Sequence, residues 1–337
     1  MAPTHPEWNQ ETGGKEVAAA FADQIREKNV LITGISPDSI GSSMASSIAS
    51  QSPALLILAS RTPSNLNNVA QSIRDEYPTV NIRTVLLDLM SQESVKKAAE
   101  AVLQLIDKLD VIINNAGIMT PNKVWTVEKI EGQFGANHIG HFLFTNILMP
   151  LLKNSATQNT PGSTRVVNLT SLGHRLSPIR FHDYNFEGKE IPDDEHPPSN
   201  LPLIFQAKGE DGYNGYIAYG QAKAANVLFS VYLTQKLKEK GIVSYAVHPG
   251  SIWTGLSRDL DSEGQAAIKA TSTFWKNHDQ GAATALVAAF DPGLSDPPGV
   301  LMHNCQMCDP APHANNLEVA ERLWGLSEKL VGIEFRV

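Results

Sequence analysis

The chain has 337 residues, 42% of them hydrophobic, and 35 acidic against 27 basic residues give a formal net charge of -8. No Lys/Arg cluster stands out, which argues against nucleic acid or an anionic membrane as the main partner, and no apolar run approaches the ~20 residues of a membrane span. Two cysteines cannot build a disulfide framework, and the first residues lack the basic and apolar regions of a secretory signal, so a cytoplasmic enzyme is the expectation.

Residues 1–14 are polar with Pro and Gly and read as a loose arm. Val17, Phe21 and Ile25 recur at helical spacing, which predicts an added helix over 15–27. From there strands and helices alternate. Strands are predicted at Asn29–Thr33, 54–59, 80–87, Val111–Asn114, 165–169 and 243–247. Helices are predicted at 39–50, 65–77, 91–109 with Ser91 as N-cap, 129–153 and 216–240. Near-continuous apolar strands separated by helices imply one parallel sheet covered on both faces, a doubly wound α/β fold. The segment 176–215 breaks the alternation. It is rich in Pro, Asp and Glu and has no periodic core pattern, so it reads as an insertion in a single domain spanning 28–337.

Two segments carry chemistry. In Tyr219-Gly220-Gln221-Ala222-Lys223 the Tyr and Lys are four residues apart in a helical pattern and share one face. An ammonium beside a phenol favours the phenolate and lowers a tyrosine pKa that starts near ~10, giving a proton donor and acceptor usable at neutral pH. The first strand runs into Thr33-Gly34-Ile35-Ser36-Pro37-Asp38-Ser39-Ile40-Gly41 and then a helix. Such a turn presents backbone N–H groups and the helix dipole to a pyrophosphate; an ordinary strand-to-helix turn is the competing reading.

With these segments in order, the chain from about residue 28 resembles the short-chain dehydrogenase/reductase family. Asn114-Asn115-Ala116-Gly117 matches its N-N-A-G motif, and Asn137 its helical Asn. Ser171 matches the Ser after the fifth strand, and His248-Pro249-Gly250 with Thr254 the P-G motif after the sixth. The runs 167–175, 219–229 and Glu321-Arg322-Leu323-Trp324 look like the retinol-dehydrogenase-like members, particularly fungal ones. The resemblance implies that Ser171 holds a substrate carbonyl and Tyr219 protonates it. It implies that Lys223 holds the nicotinamide ribose and tunes Tyr219, and that Asn137 anchors a water relaying protons to Lys223. It assigns to cofactor binding Gly34, Ser36, Ser39, Ile40, Gly41, Ser60, Arg61, Asp88, Leu89, Asn115, Ala116, Gly117, Tyr219, Lys223, Pro249, Gly250 and Thr254. Two departures stand out. The middle Gly of the family's T-G-x-x-x-G-x-G turn is absent and the turn is one residue longer, so Pro37 and Ser39 must support a differently shaped loop. The insertion also separates Ser171 from Tyr219.

Cofactor type follows from the end of the second strand, Leu58-Ala59-Ser60-Arg61-Thr62. NAD requires an acid there for the ribose 2′-OH, and NADP(H) a cation for the 2′-phosphate. Arg61 meets the second requirement, with Ser60 as an added hydrogen-bond partner. His303, Cys305, Cys308 and His313 contain one C-x-x-C, half a structural zinc site, and no metal is expected. His174 and His248 occupy family-like positions and read as structural. Phe181, Tyr184, Phe186, Leu203, Ile204 and Phe205 in the insertion, with Trp253, Phe274 and Trp275, either fill core or wall a cleft for an apolar ketone or alcohol.

The resulting expectation is NADPH-dependent reduction of a ketone or aldehyde on a small apolar molecule, or the reverse oxidation of an alcohol, in fungal specialised metabolism. A non-redox epimerase, dehydratase or cyclase on the same scaffold, and a dinucleotide-sensing binding protein, are the alternatives. The resemblance implies pairing through the Asn-bearing and Tyr/Lys-bearing helices in many members. An insertion covering that face favours a monomer here.

Overall fold

A strand that is apolar at every position can be buried only between two layers. Among the described residues the sheet has eight strands, the central ones of this kind: β1 Asn29–Thr33, β2 Leu55–Ser60, β3 Ile82–Leu86, β4 Val111–Asn114, β5 Thr164–Leu169, β6 Ile242–His248, β7 Leu301–His303 and β8 Gln306–Cys308. They lie in the order β3-β2-β1-β4-β5-β6-β7-β8. Every pairing is parallel except β7 with β8. The computed structural model describes residues 2–209, 211–255, 262–296 and 298–337.

Side chains alternate across each strand. In β1, Val30 and Ile32 face one layer and Leu31 the other; in β2, Leu56 and Leu58 oppose Leu55 and Ile57. The first layer consists of helices Gly14–Ala20, Ala22–Ile25, Ile40–Ala49, Pro63–Glu76 and His278–Phe290. The second consists of Gln92–Leu105, Gly140–Ile147, Met149–Gln158, Gly215–Leu237 and Leu317–Val331. The expected doubly wound α/β fold is what forms, with the winding reversed between β1 and β4, where such sheets open a crevice at the strand C-termini. No described helix is long and apolar enough to cross a membrane.

Three expectations are corrected. The N-terminal arm is not loose: Trp8 is buried, stacked on His5 and edge-on to Phe21, and Gln306 donates to the His5 and Trp8 carbonyls. The single helix over 129–153 is broken. Gly132–Phe134 leads into a π turn, Gly135–Ile139, before Gly140–Ile147 and Met149–Gln158. Beyond residue 300, β7 and β8 extend the sheet where the sequence pattern predicts no strand.

Segment 176–215 holds only short 3₁₀ turns, Asp193–Glu195 and Leu203–Gln206, among its described residues. It is pinned rather than packed as a unit. The Gln221 amide accepts from the Arg180 N–H (2.9 Å) and donates to the Tyr184 carbonyl (3.0 Å). Buried Glu195 accepts from His182 and from Arg322 of the last helix.

Candidate active site

The turn after β1 is held by two glycines that admit no side chain. Gly34 sits at φ +77, and a Cβ there would lie 2.6 Å from Ala116 Cα; a Cβ on Gly41 would lie 2.6 Å from the Gly34 carbonyl oxygen. Where the family's middle glycine is absent, local hydrogen bonds hold the turn. Asp38 takes φ +50, a left-handed conformation that Asp tolerates. Ser39 caps helix Ile40–Ala49 by accepting from the Ser42 N–H, and its hydroxyl donates to the Ser36 carbonyl at 2.7 Å. The N-N-A-G segment clamps this turn. The Asn115 amide donates to the Thr33 and Gly34 carbonyls at 2.8 and 3.2 Å. Asn114 is structural, bridging Thr145 and Asn168.

Helices and strand ends bring the catalytic set together. Ser171 follows β5, and its Oγ accepts from the Gly173 N–H at 3.0 Å. Tyr219 and Lys223 lie on helix Gly215–Leu237, both buried. Lys223 Nζ donates to the Leu169 carbonyl at 3.1 Å and lies 5.5 Å from the Tyr219 ring centroid. Asn137 sits in the π turn. Its amide is committed to Ile118, accepting from the N–H (2.7 Å) and donating to the carbonyl (3.0 Å). A Cβ on Gly117 would come within 3.2 Å of Asn137 Oδ1 and 3.4 Å of Lys223 Nζ, so these three positions share one small space.

The electrostatics differ from the sequence expectation. Burial pushes the Tyr219 phenol up to about 12, and the hydrogen bond with Ser171 only partly opposes it. The same burial lowers Lys223 to about 8. Lys223 therefore does not draw the phenol downward here, because desolvation disfavours both charged forms.

Two cavities meet at this set. The first is lined by Gly34, Ser36, Ser39, Ile40, Gly41, Ser60, Arg61, Asp88, Leu89, Asn115, Ala116, Gly117, Tyr219, Lys223, Pro249 and Thr254. Of the residues expected to bind cofactor, only Gly250 lies outside it, lining the second cavity instead. Asn65, Met90, Met119 and Thr170 also line the first, and no sequence signal singles them out. Arg61 is exposed at its rim. The second cavity, about 340 Å³, is walled by Ser171, Tyr219, Leu172, Leu176, Phe205, Tyr216, Ile268 and Trp275, with His248 beside Pro249.

Of the insertion aromatics, Phe205 lines the second of these two cavities. Phe181 packs under Arg322, Tyr184 beside Phe134, and Phe186 against Tyr213, while Leu203 is exposed to solvent. Cys305 is buried against Thr284, His303 packs against His248, and His313 Nε2 donates to the His174 carbonyl.

A family model described as short chain dehydrogenase matches residues 28–185. The chain is 33% identical over 313 residues to retinol dehydrogenase 12 of Mus musculus, covering 93% of this chain and 89% of that protein. It is 32% identical over 244 residues to oxidoreductase fscI of Fusarium equiseti, covering 72% of this chain and 94% of that protein. Among solved structures, an uncharacterised protein from Mycobacterium paratuberculosis superposes with a TM-score of 0.65 at 27% identity, covering 93% of this chain and 96% of that one.

Proposed function

The chain belongs to the short-chain dehydrogenase family, and from that premise we propose that it catalyses NADPH-dependent reduction of a ketone or aldehyde on a small apolar molecule, or the reverse oxidation of an alcohol. One observation carries this reading. Tyr219 lines both cavities, with Lys223 in the first and Ser171 in the second. A single phenol thus stands at the junction where a cofactor and a carbonyl substrate would meet.

The residues of the first cavity fit a nicotinamide dinucleotide. Two glycines allow close backbone approach at a helix N-terminus, and Arg61 at the end of β2 offers a cation for a 2′-phosphate where an NAD enzyme has an acid. NADPH held there would supply a hydride to the carbonyl carbon. The protein supplies the rest. Ser171 Oγ accepts from Gly173, and its hydroxyl, also bonded to Tyr219, would turn its hydrogen to the carbonyl oxygen of a bound substrate. Tyr219 hands its proton to the developing alkoxide. A phenol raised to about 12 is protonated at neutral pH and so holds the proton to be given. Lys223 faces the same space, where it would hold the nicotinamide ribose.

The second cavity has the volume of a small-molecule site, and its aromatic and aliphatic walls favour an apolar substrate. The likeness to a Fusarium oxidoreductase supports a fungal setting; specialised metabolism and a cytoplasmic location belong to the same proposal. NADPH oxidation across a panel of ketones, aldehydes and quinones, with product analysis, tests the reading. Turnover without net cofactor oxidation would move the assignment to a non-redox reaction. Tight NADPH binding without any turnover would move it to a dinucleotide sensor.

A further inference from the structure

We propose that two buried histidines, His141 and His174, are positioning residues for this reaction: each is fixed as its Nδ1–H tautomer and donates that hydrogen to a main-chain carbonyl of the catalytic set, Asn137 for the first and Ser171 for the second. The proposal rests on the roles assigned to Asn137 and Ser171 above.

Both tautomers follow from counting donors and acceptors at each end of the ring. His141 Nδ1 lies 3.1 Å from the Asn137 carbonyl oxygen, which can only accept, so Nδ1 carries the hydrogen. The far end agrees independently. Nε2 lies 2.9 Å from Thr33 Oγ1, and that oxygen already accepts from the Asn115 and Ala116 N–H groups, each at 3.0 Å. Both lone pairs of the hydroxyl are used, so its hydrogen goes to Nε2, which must be unprotonated. His174 repeats the arrangement. Nδ1 lies 2.7 Å from the Ser171 carbonyl oxygen, and Nε2 accepts from the Ala311 N–H at 3.0 Å. A backbone N–H can only donate, so again the two ends agree.

Each ring is therefore a strut. His141 joins the π turn that carries Asn137 to Thr33, whose hydroxyl also holds the Asn115–Ala116 turn of the first cavity. His174 joins the start of the Ser171 turn to the C-terminal segment at Ala311. Both rings are essentially inaccessible to solvent. Burial keeps each neutral, with pKa values held near 4, and the Lys223 charge further opposes protonation of His141, as Arg175 and His313 oppose that of His174. A neutral ring with one fixed hydrogen is what the strut requires.

The test uses the full chain and three replacements at each position. Phe removes both ends. Asn places a donor near the Nδ1 position, and Gln reaches toward the Nε2 partner. With NADPH and phenanthrenequinone as probes, His141→Phe and His174→Phe should lower kcat about 10- to 100-fold, the scale of a small misplacement of reacting groups, with NADPH affinity changed far less. Asn should recover most of that loss and Gln little. Recovery by Gln but not Asn, or Phe variants within twofold of wild type, would overturn the proposal. If the Phe variants do not fold, the Asn and Gln pair still decides. Imidazole nitrogen NMR shifts of the wild-type protein report the tautomers without any need for turnover. Nδ1–H for both rings at neutral pH is expected, and Nε2–H at either position would refute its strut. A protein with the expected tautomers but no carbonyl reduction would instead mean that the functional reading is wrong.

Discussion

The ammonium of Lys223 lies 5.5 Å from the centroid of the Tyr219 ring and gives its hydrogen bond to the Leu169 carbonyl at 3.1 Å. Burial separates the two titrations, with Lys223 lowered to about 8 and Tyr219 raised to about 12. The lysine, not the tyrosine, is thus the group that changes charge at mildly basic pH. As pH rises through 8 the ammonium is lost while the phenol stays protonated. The value of kcat/KM for NADPH, which reports the free enzyme, should fall above about pH 8. Lys223→Met should be slow throughout and lack that limb. A profile flat to about pH 10, the ordinary range of a lysine, would contradict the assignment.

Tyr219→Phe should lower kcat by about 10²- to 10⁴-fold, the range of a lost general acid. The ring stays and only the hydroxyl goes, so NADPH affinity should hold within a few-fold by fluorescence titration. Near-wild-type reduction by this variant would remove Tyr219 as proton donor.

Arg61→Ala should weaken NADPH and leave NADH nearly unchanged, since only NADPH carries the 2′-phosphate. Loss of one charge-assisted contact costs about 1.5–3 kcal/mol, or roughly 10- to 150-fold in affinity. Equal weakening of the two cofactors would place the phosphate elsewhere.

What is legible in the sequence follows physical rules with few exceptions. Strands such as Val111–Asn114 are readable because burial on both faces leaves them apolar along their length. The glycine turn and Tyr219–Lys223 are readable because chemistry restricts residue type and spacing there. Ser91 is readable as a cap, and it accepts from the Ser94 N–H. The arm defeats such reading because one residue, Trp8, anchors an otherwise polar segment, and a single contact has no period. The π turn at Gly135–Ile139 leaves no trace in the hydrophobic pattern, since its residues are buried on every side. Arg165 is another case. Its guanidinium is wholly buried, donating to the Ala288 and Asp291 carbonyls, and those partners lie 123 and 126 residues away in sequence. Strand β7 spans only three residues, too short to show alternation.

Acid should destabilise the fold well above the range in which carboxylates titrate. His141 and His174 are held near 4, and His138 near 3, against an ordinary value of 6.5, all by burial. The unfolded chain binds protons at these positions below pH 6.5 and the folded chain does not. Stability therefore falls as pH drops from 6.5 toward 4, by about 2 kcal/mol per histidine between roughly pH 7 and 5. Urea midpoints at those two pH values measure it. Equal midpoints would mean that the rings are protonated in the fold or reached by solvent.

The face formed by the helices bearing Tyr219 and Asn137, the pairing face expected from the sequence, is covered within this chain. Trp324 stacks on Tyr232 of the helix bearing Tyr219 and Lys223, with ring centroids 4.1 Å apart, and meets Phe142 edge-on at 4.8 Å. Helix Leu317–Val331 thus lies across helix Gly215–Leu237 and reaches Gly140–Ile147. The sequence reading assigns this cover to the insertion. The insertion acts instead as a brace, because Glu195 accepts from Arg322 on the covering helix at 3.2 Å. The expected solution state is a monomer of 36.6 kDa, checked by light scattering coupled to size exclusion. Trp324→Ala should cost about 3–5 kcal/mol, as for other large-to-small changes in a core. It should also bare Tyr232 and Phe142 and shift the protein toward dimer as concentration rises. A wild-type dimer stable to dilution would show that some other face pairs or that this helix moves aside. A Trp324→Ala protein with unchanged stability would show that the cover contributes little.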